Sequence, residues 1–260
     1  MTIEGVDDPR LAQFRLNERG LANRSDKRDD TGAGLFLAEG DLVVGRALDA
    51  GCRPYAALAD GNRIPAVAQR IADAGGDVFV GGEDIRRMVT GLGTPQVIVA
   101  LFHRPARPSV AELLARCDRL VVVEGVDNPA NVGAIVRNAA AFGWDGLVLD
   151  HTSADPLARR ALRVAMGTAF TLPHARTRRL LHELRQASDL VLYALTPDPA
   201  AIDIGTIAPG RRRGIAIGSE RAGLSPEIMA LATPVRIPIA AEVDSLNAAA
   251  AAAVACYALA

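Results

Sequence analysis

An almost continuous apolar run, Leu-Val-Val-Val-Glu-Gly-Val at residues 120–126, constrains the fold of this chain more than any other stretch. A run of this kind is typical of a parallel β-strand that is buried on both faces. A polar turn follows at 127–131, and residues 132–142 have a helical pattern that ends at Gly143. Strand, turn and helix in this order predict an α/β domain with a mostly parallel sheet.

The same alternation continues to the C-terminus. The pattern predicts further strands at 146–150, 168–172, 190–195, 214–217 and 235–239, and helices at 156–166, 177–187 and from 225. Ligands in parallel sheets lie at the carboxyl ends of the strands. The polar loops occur there, at 127–131, 196–199, 218–224 and 240–247. We therefore expect these loops to form one ligand site, followed by an alanine-rich helix that Ser245 or Asn247 can cap.

A smaller α/β module is predicted before residue 104. Its strands fall at 35–39, 54–58, 77–80 and 95–102, and its helices at 41–50, 65–74 and 83–89. The stretch 104–110 is polar, rich in proline and without a hydrophobic period, as expected of a linker. The predicted organisation is a basic N-terminal extension (1–33) without an obvious core, a module at 34–103, the linker, and a second domain at 111–260.

Composition excludes several classes of protein. No apolar run approaches the roughly 18 residues of a membrane span, and the N-terminus lacks a signal pattern, so we expect a cytoplasmic protein without a membrane partner. Its three cysteines are scattered, which predicts buried free thiols. Its four histidines lack the spacing of metal ligands, and no metal is expected.

Arginine clusters favour a polyanionic partner even though the net charge is only −1. Arginine is suited to bidentate contact with phosphate. Solvated helix faces are the better explanation of any single cluster, and it is the presence of several clusters in a nearly neutral chain that favours a polyanion on one face. The clusters comprise Arg10, Arg15, Arg19, Arg24, Lys27 and Arg28 at the N-terminus, then Arg159, Arg160 and Arg163, then Arg176, Arg178 and Arg179.

The polar residues near the strand ends indicate the kind of chemistry. The first strand–helix turn lacks the G-x-G-x-x-G pattern of dinucleotide binding, and the chain has no Walker sequence or nucleophile elbow. The candidates include no histidine and no nucleophile–base pair; they are Asn131, Arg137, Glu220, Ser245 and Asn247. One cation, one carboxylate and several hydrogen-bonding groups are suited to orienting a charged ligand and a hydroxyl for direct transfer.

Three motifs resemble those of the SpoU (TrmH-type) ribose methyltransferases. They are Asp-Asn-Pro-Ala-Asn-Val-Gly-Ala-Ile-Val-Arg-Asn-Ala at 127–139, Gly-Ser-Glu-Arg-Ala-Gly-Leu-Ser at 218–225, and the stretch from Ile-Pro at 237–238 to Ser-Leu-Asn at 245–247. The resemblance covers about 120–260. It implies the SPOUT fold, a parallel sheet whose C-terminal segment forms a trefoil knot. It also implies a homodimer with S-adenosylmethionine as cofactor.

The resemblance also implies roles for individual residues. Arg137 would bind the target phosphate and orient the ribose 2′-hydroxyl, while Asn131 and Glu220 would fix Arg137 and the ribose, and Ser245 and Asn247 would hold the loop and the substrate. The implied cofactor-binding residues are Leu195, Thr196, Ile217, Gly218, Ile237, Ile239 and Leu246.

The front module is similar to the ribosomal-protein-like RNA-binding domain of many family members. The implied substrate is therefore RNA, with ribosomal RNA (23S) first and transfer RNA second. A SPOUT base methyltransferase and a non-catalytic RNA-binding protein of the same fold are the alternatives.

The chain departs from the family pattern at three positions. Arg221 and Ala241 stand where members have glycine, and Ile239 stands where they have methionine. Alanine at a position that requires a positive φ would strain the cofactor loop. Arg221 would place an extra cation beside the cofactor or the RNA.

Overall fold

The structure, a computed structural model, describes residues 1–22, 34–91, 93, 96–208 and 210–260. These residues divide into two compact units. The first comprises Met1–Ala106 and Leu157–Phe170, and the second comprises Arg107–Pro156 and Thr171–Ala260. The boundary near 106 falls inside the predicted linker. In contrast to the predicted domains, residues 157–170 join the first unit, which is therefore built from two separate parts of the sequence.

Strands and helices alternate along most of the described chain. The strands are β1 (Leu35–Glu39), β2 (Pro54–Asp60), β3 (Asp77–Gly81), β4 (Ile98–His103), β5 (Arg119–Val123), β6 (Gly146–Asp150), β7 (His174–Thr177), β8 (Val191–Leu195), β9 (Ile202–Asp203), β10 (Arg213–Ile217) and β11 (Thr233–Arg236). The α-helices are α1 (Glu18–Leu21), α2 (Gly40–Asp49), α3 (Ala66–Asp73), α4 (Glu83–Thr90), α5 (Val110–Arg116), α6 (Pro129–Ala141), α7 (Arg159–Ala165), α8 (Leu180–Arg185), α9 (Pro226–Leu231) and α10 (Ala248–Ala258).

The first unit has a four-stranded sheet in the order β1-β4-β2-β3, in which β4 is antiparallel to both of its neighbours. N-terminal side chains are buried in its core, namely Ile3, Leu11, Phe14 and Leu21. The prediction that the N-terminal extension has no core is therefore wrong for residues 1–22. A 3-10 helix at Pro9–Arg15, capped by Asp8, buries Leu11 and Phe14. Of the N-terminal cluster, Arg24, Lys27 and Arg28 lie outside the described residues.

Helix α7 is part of the first unit through polar contacts of Arg159. This side chain pairs with the buried carboxylate of Glu39 and donates to the carbonyl of Thr90 at 2.9 Å. Its backbone N–H donates to Glu18 Oε1 at 2.7 Å. Arg159 therefore has internal partners, and the prediction that its cluster serves a polyanion does not extend to this residue.

The predicted strand at 168–172 is wrong. Helix α7 ends at Ala165, Met166 and Gly167 follow it with positive φ (53° and 81°), and Thr168–Phe170 forms a 3-10 turn. The Phe170 ring packs on Phe36 at 5.5 Å between centroids. The β-strand begins only after Pro173, at β7. The Thr-rich apolar pattern of 168–172 reflects this packing and not a place in the sheet.

The second unit contains a seven-stranded sheet in the order β7-β6-β5-β10-β8-β11-β9, and all its pairings are parallel. This confirms the predicted parallel sheet, including complete burial of Leu120, Val121, Val122 and Val123 in β5. Strand β11 ends at Arg236, three residues before the predicted end. Pro238 lacks the N–H that would extend the pairing. The two-residue β9 was not predicted because it is too short to show a period.

Three observations complete the fold. Within the described ranges, no helix is long and apolar enough to cross a membrane. The same residues contain no cluster of His, Cys, Asp and Glu that could hold a metal ion. The cysteines are free and buried, as predicted. Burial raises the pKa of the Cys256 thiol to about 12 and that of Cys52 to about 11, so neither is a reactive thiolate near neutral pH.

Candidate active site

A cavity of about 500 Å³ lies at the carboxyl ends of β8, β10 and β11. This volume is within the range of small-molecule sites. Seven of its lining residues are those predicted to bind a cofactor: Leu195, Thr196, Ile217, Gly218, Ile237, Ile239 and Leu246. The structure brings them together because three strands that are distant in the sequence end at one edge of the sheet. Their role in binding stays a prediction.

The loop after β10 forms one wall of this cavity and is closed on itself. Ser219 and Gly223 exchange two backbone hydrogen bonds of 3.2 and 3.0 Å, and the N–H of Ala222 donates to Ser219 Oγ at 3.1 Å. A Cβ at Gly218 would lie 2.2 Å from the carbonyl carbon of Gly223, so only glycine fits at that position. This closed loop, residues 219–223, carries Glu220 and Arg221, which both line the cavity.

A network of three side chains lies beside the cavity. Glu220 Oε1 accepts hydrogen bonds from Asn131 Nδ2 at 2.8 Å and from Asn247 Nδ2 at 2.6 Å. Asn247 Nδ2 also lies 3.2 Å from Asn131 Oδ1. The side chains come from the first turn of α6, the closed loop and the N-cap of α10, so this network connects all three predicted motifs. Asn131 is only 8% exposed, whereas Glu220 and Asn247 are exposed.

The loop between β11 and α10 forms the opposite wall. Ser245 lines the cavity, as does its neighbour Asp244. Asn247, and not Ser245, caps α10, because its Oδ1 accepts from the N–H groups of Ala249 and Ala250. Ala241 has no positive φ, since Met166 alone among the described non-glycine residues has one. The expected strain at Ala241 is therefore not present.

Arg137 stands apart from the other candidates. It is exposed on α6, it does not line the cavity, and its side chain makes no hydrogen bond or ion pair with any described residue. Six residues along a helix correspond to a rotation of roughly 240°, so Arg137 and Asn131 point to different sides of α6. The expectation that Asn131 and Glu220 hold Arg137 is not met within one chain.

Sequence reasoning missed several residues of the site. Asp244, Met229 and Ala251 line the cavity but were not among the candidates. Asp244 had a usable signal, since it directly precedes Ser245 in a polar loop. Met229 had none, because a methionine in a short apolar helix is indistinguishable in the sequence from a core residue.

Comparison with known proteins identifies the family. Residues 118–257 match the model of the SpoU rRNA Methylase family. This range contains all three motifs and more than half of the chain. The chain belongs to the SpoU rRNA methylase family. The resemblance predicted from the motifs is thereby confirmed.

Individual SpoU-family proteins are similar over most of the chain. An uncharacterized tRNA/rRNA methyltransferase, Mb0905 of Mycobacterium bovis, is 36% identical over 96% of this chain and 88% of its own length. The 23S rRNA (guanosine(2553)-2′-O)-methyltransferase RlmP of Bacillus subtilis is 29% identical over 89% of this chain and 90% of its own. An AdoMet-bound rRNA methyltransferase from Sinorhizobium meliloti superposes with a TM-score of 0.84 at 26% identity, covering 100% of this chain and 97% of its own.

The cavity has the features that S-adenosylmethionine requires, which supports the predicted cofactor of this SpoU-family chain. Isoleucine and leucine side chains, among them Ile217, Ile237 and Leu246, give it apolar walls for an adenosine group. The polar groups of Thr196, Ser245 and the closed loop are available for hydrogen bonds. A mostly apolar cavity with a few polar groups is the usual form of such sites.

Proposed function

We propose that this SpoU-family chain transfers a methyl group from S-adenosylmethionine to a ribose 2′-hydroxyl of RNA, with 23S rRNA as the substrate. One observation carries the proposal. The cavity lined by the seven predicted cofactor positions opens beside Glu220, whose carboxylate is held by Asn131 and Asn247. The similarity to RlmP supports ribose and 23S rRNA in particular.

The residues present are suited to orientation and not to strong base catalysis. When bound, the cofactor supplies an electrophilic methyl group. Glu220, Asn131 and Asn247 form a fixed polar surface at the edge of the cavity, where the ribose hydroxyl would be aligned; such positioning contributes several kcal/mol to catalysis. The guanidinium of Arg137 does not lose its proton near neutral pH. Its proposed role is therefore to bind the target phosphate, and the hydroxyl proton leaves to phosphate or water.

Four further inferences belong to this proposal and rest on the family resemblance. The first unit binds RNA, the C-terminal segment forms a trefoil knot, the active form is a homodimer, and the protein acts in the cytoplasm. Exposed arginines support RNA binding, for example Arg160 in the first unit and Arg178 and Arg179 in the second.

The test is methyl transfer from labelled S-adenosylmethionine to 23S rRNA and, separately, to bulk tRNA, followed by digestion to nucleosides. We expect 2′-O-methylated nucleosides from 23S rRNA. Label on a base would refute methylation of the ribose. Label in tRNA alone would show that tRNA, and not 23S rRNA, is the substrate.

Arg137 provides the residue-level test. Arg137→Ala and Arg137→Lys should both abolish transfer, because lysine supplies the charge without the bidentate fork. Binding of S-adenosylmethionine, measured by titration calorimetry, should persist because Arg137 does not line the cavity. The control is Arg185→Lys, at an exposed arginine of α8 outside the proposed site, which should retain activity. Unchanged turnover in Arg137→Lys would refute the bidentate phosphate contact.

A further inference from the structure

Glu124 does not line the cavity, yet its carboxylate contacts the chain directly after the closed loop. Glu124 Oε2 accepts a hydrogen bond from the backbone N–H of Ser225 at 2.7 Å, and Oε1 accepts one from the Ser225 hydroxyl at 2.8 Å. The backbone N–H of Glu124 donates to the carbonyl of Ile217 at 3.0 Å. Glu124 therefore continues the pairing of β5 with β10 by one residue, and it joins the centre of the sheet to Ser225.

Ser225 is one of the points that fix the closed loop to the rest of the unit. The loop lies between Gly218, directly after β10, and Leu224, and Ser225 caps α9 immediately after Leu224. Because Ser219 and Gly223 are bonded to each other, the loop between them moves as one piece. Its position depends on β10 at its start, on the hydrogen bonds of Glu220 with Asn131 and Asn247, and on its far end. At that end Leu224 is buried in the core, and Ser225 is held by Glu124.

The backbone beside Glu124 is itself held in place. The N–H of Gly125 donates to the buried Asp150 Oδ1 at 3.0 Å. A Cβ at Gly125 would lie 3.6 Å from Ser219 Cβ, so this backbone is in van der Waals contact with the first residue of the closed loop. The backbone of Glu124 is therefore held in place independently of its side chain. Truncating that side chain should affect the closed loop more than the backbone segment around Glu124.

We propose that Glu124 is a positioning residue: through Ser225 it holds the closed loop, and therefore Glu220 and Arg221, in the arrangement that binds S-adenosylmethionine. Hydrogen bonds to a carboxylate are stronger than those between neutral groups, which suits this contact to holding the far end of the loop. The inference rests on the proposed function, because it takes S-adenosylmethionine as the ligand of the cavity.

The chain contains a matched control for this contact. Glu112 accepts from the N–H and the hydroxyl of Ser109 at 2.6 and 2.8 Å, in a capping box at the start of α5. Neither residue lines the cavity. Glu112→Ala and Glu124→Ala therefore remove the same two hydrogen bonds from a serine N-cap, one away from the cavity and one next to the closed loop.

The experiment measures the dissociation constant for S-adenosylmethionine by calorimetry and the urea midpoint of unfolding for each full-length variant. Both alanine variants should lower the urea midpoint by similar amounts. Only Glu124→Ala should weaken binding, by about tenfold, because a lost charge-assisted contact has a large effect. Glu124→Gln should stay within about threefold of wild type, since an amide oxygen still accepts from the Ser225 N–H.

The outcomes are distinct. Equal affinity in Glu124→Ala and Glu112→Ala would overturn the inference, as would a loss in Glu124→Gln as large as that in Glu124→Ala. If Glu124→Ala does not fold, Ser225→Ala removes the hydroxyl contact with Glu124 together with the Oγ cap of α9, and affinity equal to wild type would then overturn the inference. Failure of the wild type to bind S-adenosylmethionine would instead refute the proposed function.

Discussion

Asn247 performs two separable tasks with the two ends of its amide. Its Oδ1 caps α10 by accepting from the N–H groups of Ala249 and Ala250, at 2.9 and 3.3 Å. Its Nδ2 donates to Glu220 Oε1 at 2.6 Å. Asn247→Asp keeps the cap, because aspartate is as good an N-cap as asparagine. It removes the donor and places a second carboxylate against Glu220.

The cost of Asn247→Asp can be worked from these contacts. A hydrogen bond to a charged group contributes about 1.5–3 kcal/mol when buried, and the exposure of Glu220 and Asn247 reduces this to about 1. Two carboxylates about 4 Å apart repel by about 1 kcal/mol in water and about 4 kcal/mol at a protein surface, so an exposed pair adds about 1–2. The negative charge of the new aspartate at the N-terminus of α10 stabilises the helix by about 0.3–1 kcal/mol, which offsets part of this cost. We expect a net loss of about 2 kcal/mol.

Asn247→Ala should cost about as much for a different reason. It loses the cap, about 1 kcal/mol, and the same donor, about 1 kcal/mol, without any repulsion. Salt separates the two variants, because the Debye length falls from about 10 Å at 0.1 M to about 3 Å at 1 M. The loss of unfolding free energy in Asn247→Asp should therefore be smaller by roughly 1 kcal/mol in 1 M salt than in 0.1 M salt. The loss of unfolding free energy in Asn247→Ala should be the same at both salt concentrations.

The assay is equilibrium unfolding in urea for wild type and variants in 0.1 and 1 M KCl, since urea leaves ionic strength unchanged. Asn128→Asp is the control: Asn128 caps α6, with its oxygen accepting from the Ala130 N–H at 3.0 Å. The amide nitrogen of Asn128 donates no hydrogen bond within the described part of the chain, so Asn128→Asp should change the free energy of unfolding by no more than about 0.5 kcal/mol. Stability of Asn247→Asp equal to wild type at 0.1 M would refute the reasoning, because the contact with Glu220 would then contribute nothing.

Two other predictions concern Asp150 and α10. Burial alone would raise the pKa of Asp150, but hydrogen bonds from Ser153, Thr152 and the Gly125 N–H outweigh it and lower the pKa below its ordinary value of 3.8. The ionised Asp150 therefore stabilises the fold above pH 3.8, and this contribution is lost as the pH falls through the lower pKa of the folded state. Asp150→Asn should lower the free energy of unfolding by about 1–3 kcal/mol at pH 7 and flatten the acid side of its pH dependence, measured in urea. An unchanged pH dependence would contradict this prediction. Val254 lies on the exposed face of α10, and Val254→Glu should convert the proposed homodimer to monomers in sedimentation. The control is Val191→Glu, at a similarly exposed valine, which should leave the sedimentation unchanged. A wild-type protein that is monomeric and active would refute the proposed dimer.

The part of the site that sequence reasoning could predict is the part formed by strand ends. Leu195, Ile217 and Ile237 follow or end apolar runs, and a parallel sheet brings such ends to one edge whatever the order of its strands. The network of Asn131, Glu220 and Asn247 was predicted as a group of candidates through the three motifs. Its hydrogen bonds were not predicted, because they depend on the side-chain geometry of three separate elements.

Contacts between distant segments could not be predicted from local patterns. The carboxylate of Glu124 reaches Ser225 across 101 positions, and each residue on its own is consistent with an ordinary turn. Helix α7 has the same local pattern whether it covers the parallel sheet or joins the first unit. One contact of this helix within the first unit is the pairing of Arg159 with Glu39, which no period in the sequence encodes.

The separation of Arg137 from the cavity has a consequence for how binding and turnover depend on assembly. The cavity and the network of Asn131, Glu220 and Asn247 are formed within one chain, so a single chain has the groups that we propose hold the cofactor. Arg137, by contrast, is exposed on α6, which packs on α10, and α10 exposes Val254 by 41% and Tyr257 by 72%.

Apolar side chains of that size exposed beside each other are expected to be covered by a partner surface. We infer that the proposed dimer would present Arg137 to the RNA at a site that one chain leaves incomplete. Val254→Glu should then abolish methyl transfer while the affinity for S-adenosylmethionine stays at the wild-type value. A parallel loss of both, in a variant whose urea midpoint is unchanged, would show that the dimer forms the cofactor site itself and would contradict this division of roles.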